Sequence, residues 1–241
     1  MKKILLTMCI ALCLPMMCMA KERLVLIGDA SLAPHSIANP DVRGWGEKLS
    51  ALFSDKVEVV NFAQAGESTR TLIDSRLMKI INQCHPGDFV VLQLGQNDLR
   101  DEYGKMYYPA ADMAARLADI VTKLQQKRIK VILCTPVVQP YYKDGQVLER
   151  MGVYADVIRR VAKAKETYLI DIERLTMDWI STVGEQNASL FFKNISTDTQ
   201  RREYLLTEAG ATEVSRMFVE EVLVQKIKKL KKHVMLSIEQ Q

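Results

Sequence analysis

Three short polar motifs carry the residue types from which an acyl-transfer site is built: Gly28-Asp29-Ala30-Ser31, the stretch from Asn61 to Gly66, and Gly95-Gln96-Asn97-Asp98. Ser31 offers a hydroxyl that an adjacent base could activate. The base is the scarce component. The chain has three histidines, His35, His85 and His233, so none lies between residues 85 and 233.

The motifs share a position. Each follows an apolar, β-branched run: Leu24 to Ile27, Val57 to Val60, and Phe89 to Leu92. In an open parallel sheet the residues just past the carboxyl ends of neighbouring strands gather on one rim, where ligands bind. The remaining periodicities alternate in the same way. Strands are expected at Arg23 to Gly28, Val57 to Phe62, Phe89 to Leu92, Lys130 to Cys134 and Tyr168 to Asp171. Helices are expected at about 46–53, 69–83, 110–127, from Leu148 through Val161, up to Val183, and at 208–232. The stretch from Gly184 to Tyr204 reads as irregular, and Gln139 to Gln146 as a loop with an Asp-Gly turn. This alternation predicts an α/β fold with a five-stranded parallel sheet and helices on both faces.

Residues 1–20 are set apart. Lys2 and Lys3, the apolar run from Ile4 to Met19, and small residues at Cys18 and Ala20 read as a secretory signal, with cleavage near Ala20 and a secreted or periplasmic product. Lipid anchoring at Cys18 is disfavoured by Met16 and Met17, which stand where small residues are preferred. Residues 21–241 are expected to form a single domain without a membrane-spanning segment. Only Cys84 and Cys134 then remain, expected at opposite ends of the sheet and therefore as free thiols. Removing Lys2 and Lys3 lowers the formal net charge of +4 to +2, and five lysines crowd residues 226–232. The remainder is faintly acidic, which argues against a nucleic-acid surface. The lysine run is expected to be the solvated end of the last helix, with an anionic membrane or acidic polysaccharide as its alternative contacts. Neither a metal-ligand cluster nor a phosphate-cradling glycine loop is present, so no cofactor is expected.

The three rim motifs resemble those of SGNH (GDSL-type) hydrolases, and within that group those of rhamnogalacturonan acetylesterases. Gly44-Trp45-Gly46, Gly66-Glu67-Ser68-Thr69-Arg70, Pro86-Gly87-Asp88 and Thr207-Glu208-Ala209-Gly210-Ala211 follow in the order and spacing of that family. The resemblance implies a three-layer, flavodoxin-like fold. It also implies a serine nucleophile in the Gly-Asp-Ser block, a histidine base three residues after an aspartate, and an oxyanion hole from two backbone N–H groups and an asparagine.

Position by position, the serine place holds Ala30, while Gly66 and Asn97 keep the oxyanion places. Aligning on Thr207 to Ala211 puts Leu205 at the histidine place and Arg202 at the aspartate place. The donors are retained and the triad is not. Ser31 with His35 is the substitute pair that the sequence offers, with Ser31 one residue late. Asp29, Tyr141 and Arg202 are the further candidates for substrate contact, Tyr141 by stacking on a sugar ring. The expectation is a glycan-binding or vestigial member of an esterase family, whose ligand is an acylated or acidic polysaccharide. Two alternatives stand beside it: an active carbohydrate O-acetylesterase using Ser31 and His35, and a scaffold that keeps only the fold. The oligomeric state is not set by the sequence.

Overall fold

The computed structural model describes residues 21–35, 40–99, 109–197 and 203–236. Within them, five strands pair in parallel in the order β2-β1-β3-β4-β7. These are β1 (Glu22–Gly28), β2 (Val57–Asn61), β3 (Phe89–Gln93), β4 (Lys130–Cys134) and β7 (Tyr168–Ile170). The order is the flavodoxin-like 2-1-3-4-5 arrangement, with its switch point between β1 and β3. Register sets Leu24 opposite Phe89, and Phe89 opposite Lys130, so the carboxyl ends of β1, β3 and β4 lie level.

The continuous apolar runs follow from burial on both faces. Leu24, Leu26, Phe89, Val91 and Ile132 face one core. Their neighbours Val25, Ile27, Val90, Leu92, Val131 and Leu133 face the other. The first core is covered by α1 (Leu49–Leu52), α7 (Ile172–Val183) and α8 (Glu208–Val224). The second is covered by α3 (Leu77–Gln83), α5 (Ala110–Gln126) and α6 (Gly152–Ala164). The side-chain period of two thus turns a single hydrophobic run into two packed layers.

Several elements differ from expectation. The first helix is a 3₁₀ turn, Trp45–Glu47, followed by the single turn α1. The segment 69–83 is helical throughout, but α2 (Thr69–Thr71) passes into a π-helical stretch, Leu72–Arg76, before α3. The helix expected from Leu148 begins at Gly152, because the backbone N–H of Leu148 donates to the Tyr141 carbonyl and closes a hairpin. That hairpin pairs β5 (Tyr142–Lys143) with β6 (Gln146–Val147) across Asp144 and Gly145, both at positive φ, as a tight hairpin turn requires.

The supposedly irregular stretch before residue 204 contains a 3₁₀ helix, Glu185–Leu190, and β8 (Phe192–Asn194). The latter pairs antiparallel with β9 (Tyr204–Leu206). The last helix stops at Val224. Lys226 and Lys229 adopt left-handed conformations, and Leu230–His233 form a separate 3₁₀ turn, so the lysines lie beyond α8. Cys84 and Cys134 are free and buried. Among the described residues no helix is long and apolar enough to cross a membrane.

Candidate functional site

The rim is assembled by side chains that tie one strand end to the next. The Asn61 amide donates to the Leu32 carbonyl (2.9 Å), fastening the end of β2 to the loop after β1. Asp98, fully buried on the single turn α4 (Gln96–Leu99), accepts from the Thr69 N–H (3.2 Å) and from its hydroxyl. Ser68 caps the helix that starts there. The Asn97 amide donates to the Glu67 carbonyl (2.9 Å). The second and third polar motifs are therefore locked together, and Gly66 turns the chain between them at φ +81.

Gly44-Trp45-Gly46 is architectural. A Cβ at Gly44 would stand 2.0 Å from the Ala33 carbonyl oxygen, so only glycine permits that approach. Trp45 is fully buried, packs against Phe218 with ring centroids 5.2 Å apart, and donates its indole N–H to Gln93 (2.8 Å).

A cavity opens at this rim. Its described lining includes Ala30, Ser31, Asn97, Gln139, Glu203 and Leu205. The space is small, about 20 Å³, little more than one water requires. Sequence register thus brings Ala30, Asn97 and Leu205 into one wall, together with Asp29. Gly66 is not part of that lining; it stands exposed on the turn beside Asn97. Arg202 lies outside the described residues, as does the segment 1–20.

Ser31 and His35 do not meet as nucleophile and base. The Ser31 hydroxyl is buried, donates to Asp29 Oδ1 (2.8 Å) and accepts from the Gln93 side-chain amide. The Ser31 N–H reaches the same carboxylate oxygen (3.0 Å). The His35 ring instead bonds through Nε2 to the Ala30 carbonyl (2.7 Å). A carbonyl only accepts, so Nε2 carries the hydrogen in this arrangement. Standing one residue past Ala30, the serine is turned inward, toward the polar tip of β3.

Tyr141 is not in the cavity lining. Its ring meets Tyr204, which does line it, edge to face with centroids 5.4 Å apart, and the Arg150 guanidinium sits 4.1 Å above the Tyr141 ring. Tyr142 is structural, its hydroxyl donating to the Ile180 carbonyl (2.9 Å).

Sequence reasoning missed Gln93 and Glu203. Gln93 had a signal, as the polar residue that ends an otherwise apolar strand. Glu203 had none, because its approach depends on the β8–β9 hairpin. Among the described residues no group of three or more His, Cys, Asp or Glu side chains is placed to hold a metal.

The nearby charged cluster serves the fold. Arg159 donates to both Asp171 oxygens (2.9 Å each) and to Glu173. Burial raises the Asp171 carboxyl, but hydrogen bonds from Arg159 and Thr135 outweigh it and hold Asp171 below the usual aspartate range. Burial pushes Glu173 up, and Arg159 only partly offsets it.

Comparison with known proteins extends this geometry. The chain is 24% identical over 198 residues to a probable rhamnogalacturonan acetylesterase, YesY, of Bacillus subtilis, covering 81% of this chain and 90% of that protein. It is 24% identical over 205 residues to the rhamnogalacturonan acetylesterase RhgT of the same organism, covering 81% and 87%. Among solved structures, protein YxiM of Bacillus subtilis superposes with a TM-score of 0.74 at 24% identity, over 86% of this chain; the chain spans 58% of that one. Axe2, an acetylxylan esterase of Geobacillus stearothermophilus, superposes with a TM-score of 0.65 at 21% identity, over 84% and 94%. The Axe2 structures include catalytic mutants in which a serine, an aspartate or a histidine is replaced by alanine. The fold is that of the SGNH esterases. The family profile for GDSL-like lipases and acylhydrolases matches residues 30–194, well over half of the sequence, and the chain belongs to that family.

Proposed function

We propose that this chain is an exported glycan-binding protein descended from carbohydrate acetylesterases, in which ester hydrolysis is absent or very slow. The observation that carries the reading is the company around Ala30. A methyl group stands at the nucleophile place, Leu205 lines the same cavity at the base place, and the neighbouring Ser31 hydroxyl is held by Asp29 and Gln93. The donors persist: the Asn97 amide has a second hydrogen beyond the one given to Glu67.

A cavity of this size suits a carbonyl or carboxylate group of an acylated or acidic sugar. Arg202, which the sequence alignment puts at the aspartate place, is a residue type suited to pairing with a uronate carboxylate. In a serine protease, loss of the triad lowers turnover by about 10⁶, while binding and the oxyanion donors leave roughly 10³ to 10⁴ over water. Residual hydrolysis at that level is compatible with a binding role.

The test pairs calorimetry with an activity assay. Titration with acetylated and acidic pectin oligosaccharides should give saturable heat that weakens in Asn97→Ala. Absence of heat with the wild type refutes the binding role. Robust cleavage of acetylated pectin, abolished by Ser31→Ala, would establish an active esterase instead.

A further inference from the structure

We infer that the slow hydrolysis left to this protein runs without a covalent step: Glu203 takes a proton from a water held in the cavity, and that water attacks the ester carbonyl directly. This chemistry rests on the reading that the cavity receives the acyl group of an acylated sugar. Glu203 lines the cavity together with Leu205. The two stand two residues apart where the chain enters β9, so their side chains project to the same face. The histidine place is thus apolar, and the next position upstream on that face carries a carboxylate. The backbone there is fixed on both sides. The Glu203 N–H donates to Asn194 Oδ1 (3.1 Å), and its carbonyl accepts from the Ile195 N–H (2.8 Å). Pairing of β8 with β9 therefore continues past Tyr204 and fixes where the Glu203 side chain leaves the wall.

The cavity has room for about one water, and Asp29, Asn97, Gln139 and Glu203 offer it polar partners, the setting in which an ordered water is retained. No side chain nearby supplies the attacking oxygen instead. Ala30 contributes only a methyl, and the Ser31 hydroxyl is engaged with Asp29 and Gln93. Of the two carboxylates in the lining, Asp29 already accepts from the Ser31 N–H and hydroxyl. An ionised carboxylate has about four lone-pair sites, so Glu203 receives a water's hydrogen while keeping its other contacts. His35 does not compete, since its Nε2 is committed to the Ala30 carbonyl.

The water oxygen bonds to the acyl carbon as one of its protons passes to Glu203. The oxyanion so formed meets the second hydrogen of the Asn97 amide. The bond from the acyl carbon to the sugar oxygen then breaks, and Glu203 returns the proton to that oxygen. One ester and one water give one carboxylic acid and one sugar hydroxyl. A carboxylate is ordinarily a weaker base than an imidazole, which keeps such a reaction slow near neutral pH.

The experiment compares hydrolysis of p-nitrophenyl acetate and of acetylated pectin oligosaccharides by the wild type, Glu203→Gln, Glu203→Ala and Glu166→Gln, the last at the opposite end of the sheet. The wild type should exceed the uncatalysed rate, with no acyl-enzyme in the intact mass after rapid quenching. Glu203→Gln should lose about a hundredfold, or fall to the uncatalysed rate if that is reached first, while Glu166→Gln keeps the wild-type rate. Formate should restore hydrolysis in Glu203→Ala, where the truncation makes room for it, but not in Glu203→Gln. A purely structural role for Glu203 would leave formate without effect. A wild-type rate equal to the uncatalysed one, an acyl-enzyme that forms and decays at the turnover rate, or a Glu203→Gln variant as fast as the wild type overturns the inference. Should one of these accompany saturable heat from the oligosaccharides, the binding role stands and the water mechanism alone falls. Glu203-dependent, formate-rescued hydrolysis of p-nitrophenyl acetate without such heat supports the water mechanism and removes the glycan reading.

Discussion

Placing a nucleophile and a base in the cavity tests whether residues 30 and 205 face one reacting centre. Ala30→Ser adds a single oxygen to a partly exposed side chain at the end of β1. Leu205→His places an imidazole in a wall position that is 8% exposed. Exchanging buried aliphatic surface for a polar ring there is expected to cost about 1–3 kcal/mol of stability. Ala30→Ser alone should stay within about tenfold of the wild-type rate, since a hydroxyl without a base is a weak nucleophile. A positioned general base contributes roughly 10² to 10⁴, equivalent to about 3–5 kcal/mol of barrier. The double variant should therefore exceed Ala30→Ser by at least about a hundredfold in kcat/KM on p-nitrophenyl acetate. Its rate should rise with pH through about 6.5 as the imidazole loses its proton. Adding Arg202→Asp should raise it further by orienting the ring. A folded triple variant no faster than Ala30→Ser would refute the reasoning, because the two positions would then not converge on one carbonyl.

Three further outcomes are expected. Trp45→Phe keeps the ring packed on Phe218 but removes the donor to Gln93, and should lower stability by about 1–2 kcal/mol in urea unfolding. Asp171 sits below the usual aspartate range, so its stabilisation is present at neutral pH and lost as pH falls below about 3.9 toward its folded value. Asp171→Asn should thus destabilise by about 1–3 kcal/mol at pH 7, with the gap to wild type narrowing in acid unfolding curves. Burial raises the Cys84 and Cys134 thiols above their ordinary value. Ellman's reagent at pH 8 should accordingly titrate neither in the native protein and both after denaturation.

The parallel sheet was legible because its strands are buried on both faces and read as unbroken apolar runs, bounded by Gly, Asp and Pro. The rim motifs were legible for a related reason: a polar residue at or just past the end of an apolar strand has few roles beyond joining neighbours, as Asn61 and Asp98 do. What escaped depends on contacts distant in sequence. Phe192, Lys193 and Asn194 carry no alternation strong enough to mark a strand, and become one only by pairing with Tyr204 to Leu206. Lys226 and Lys229 have ordinary helical propensity. Their left-handed turns accompany the burial of Ile227 and Leu230 against the core that α8 covers. Ser31 was legible as a hydroxyl near the rim, but its inward bond was not, since that required Gln93 on a different strand.

The β8–β9 ribbon has an evolutionary consequence. Leu205 is placed by a three-rung antiparallel ladder outside the parallel sheet, and Thr207 caps α8 just beyond it. A substitution at 205 therefore changes the cavity wall while every rung of the β2-β1-β3-β4-β7 ladder stays as it was. Chemistry at this wall is free to drift, in either direction, at little risk to the scaffold that carries it.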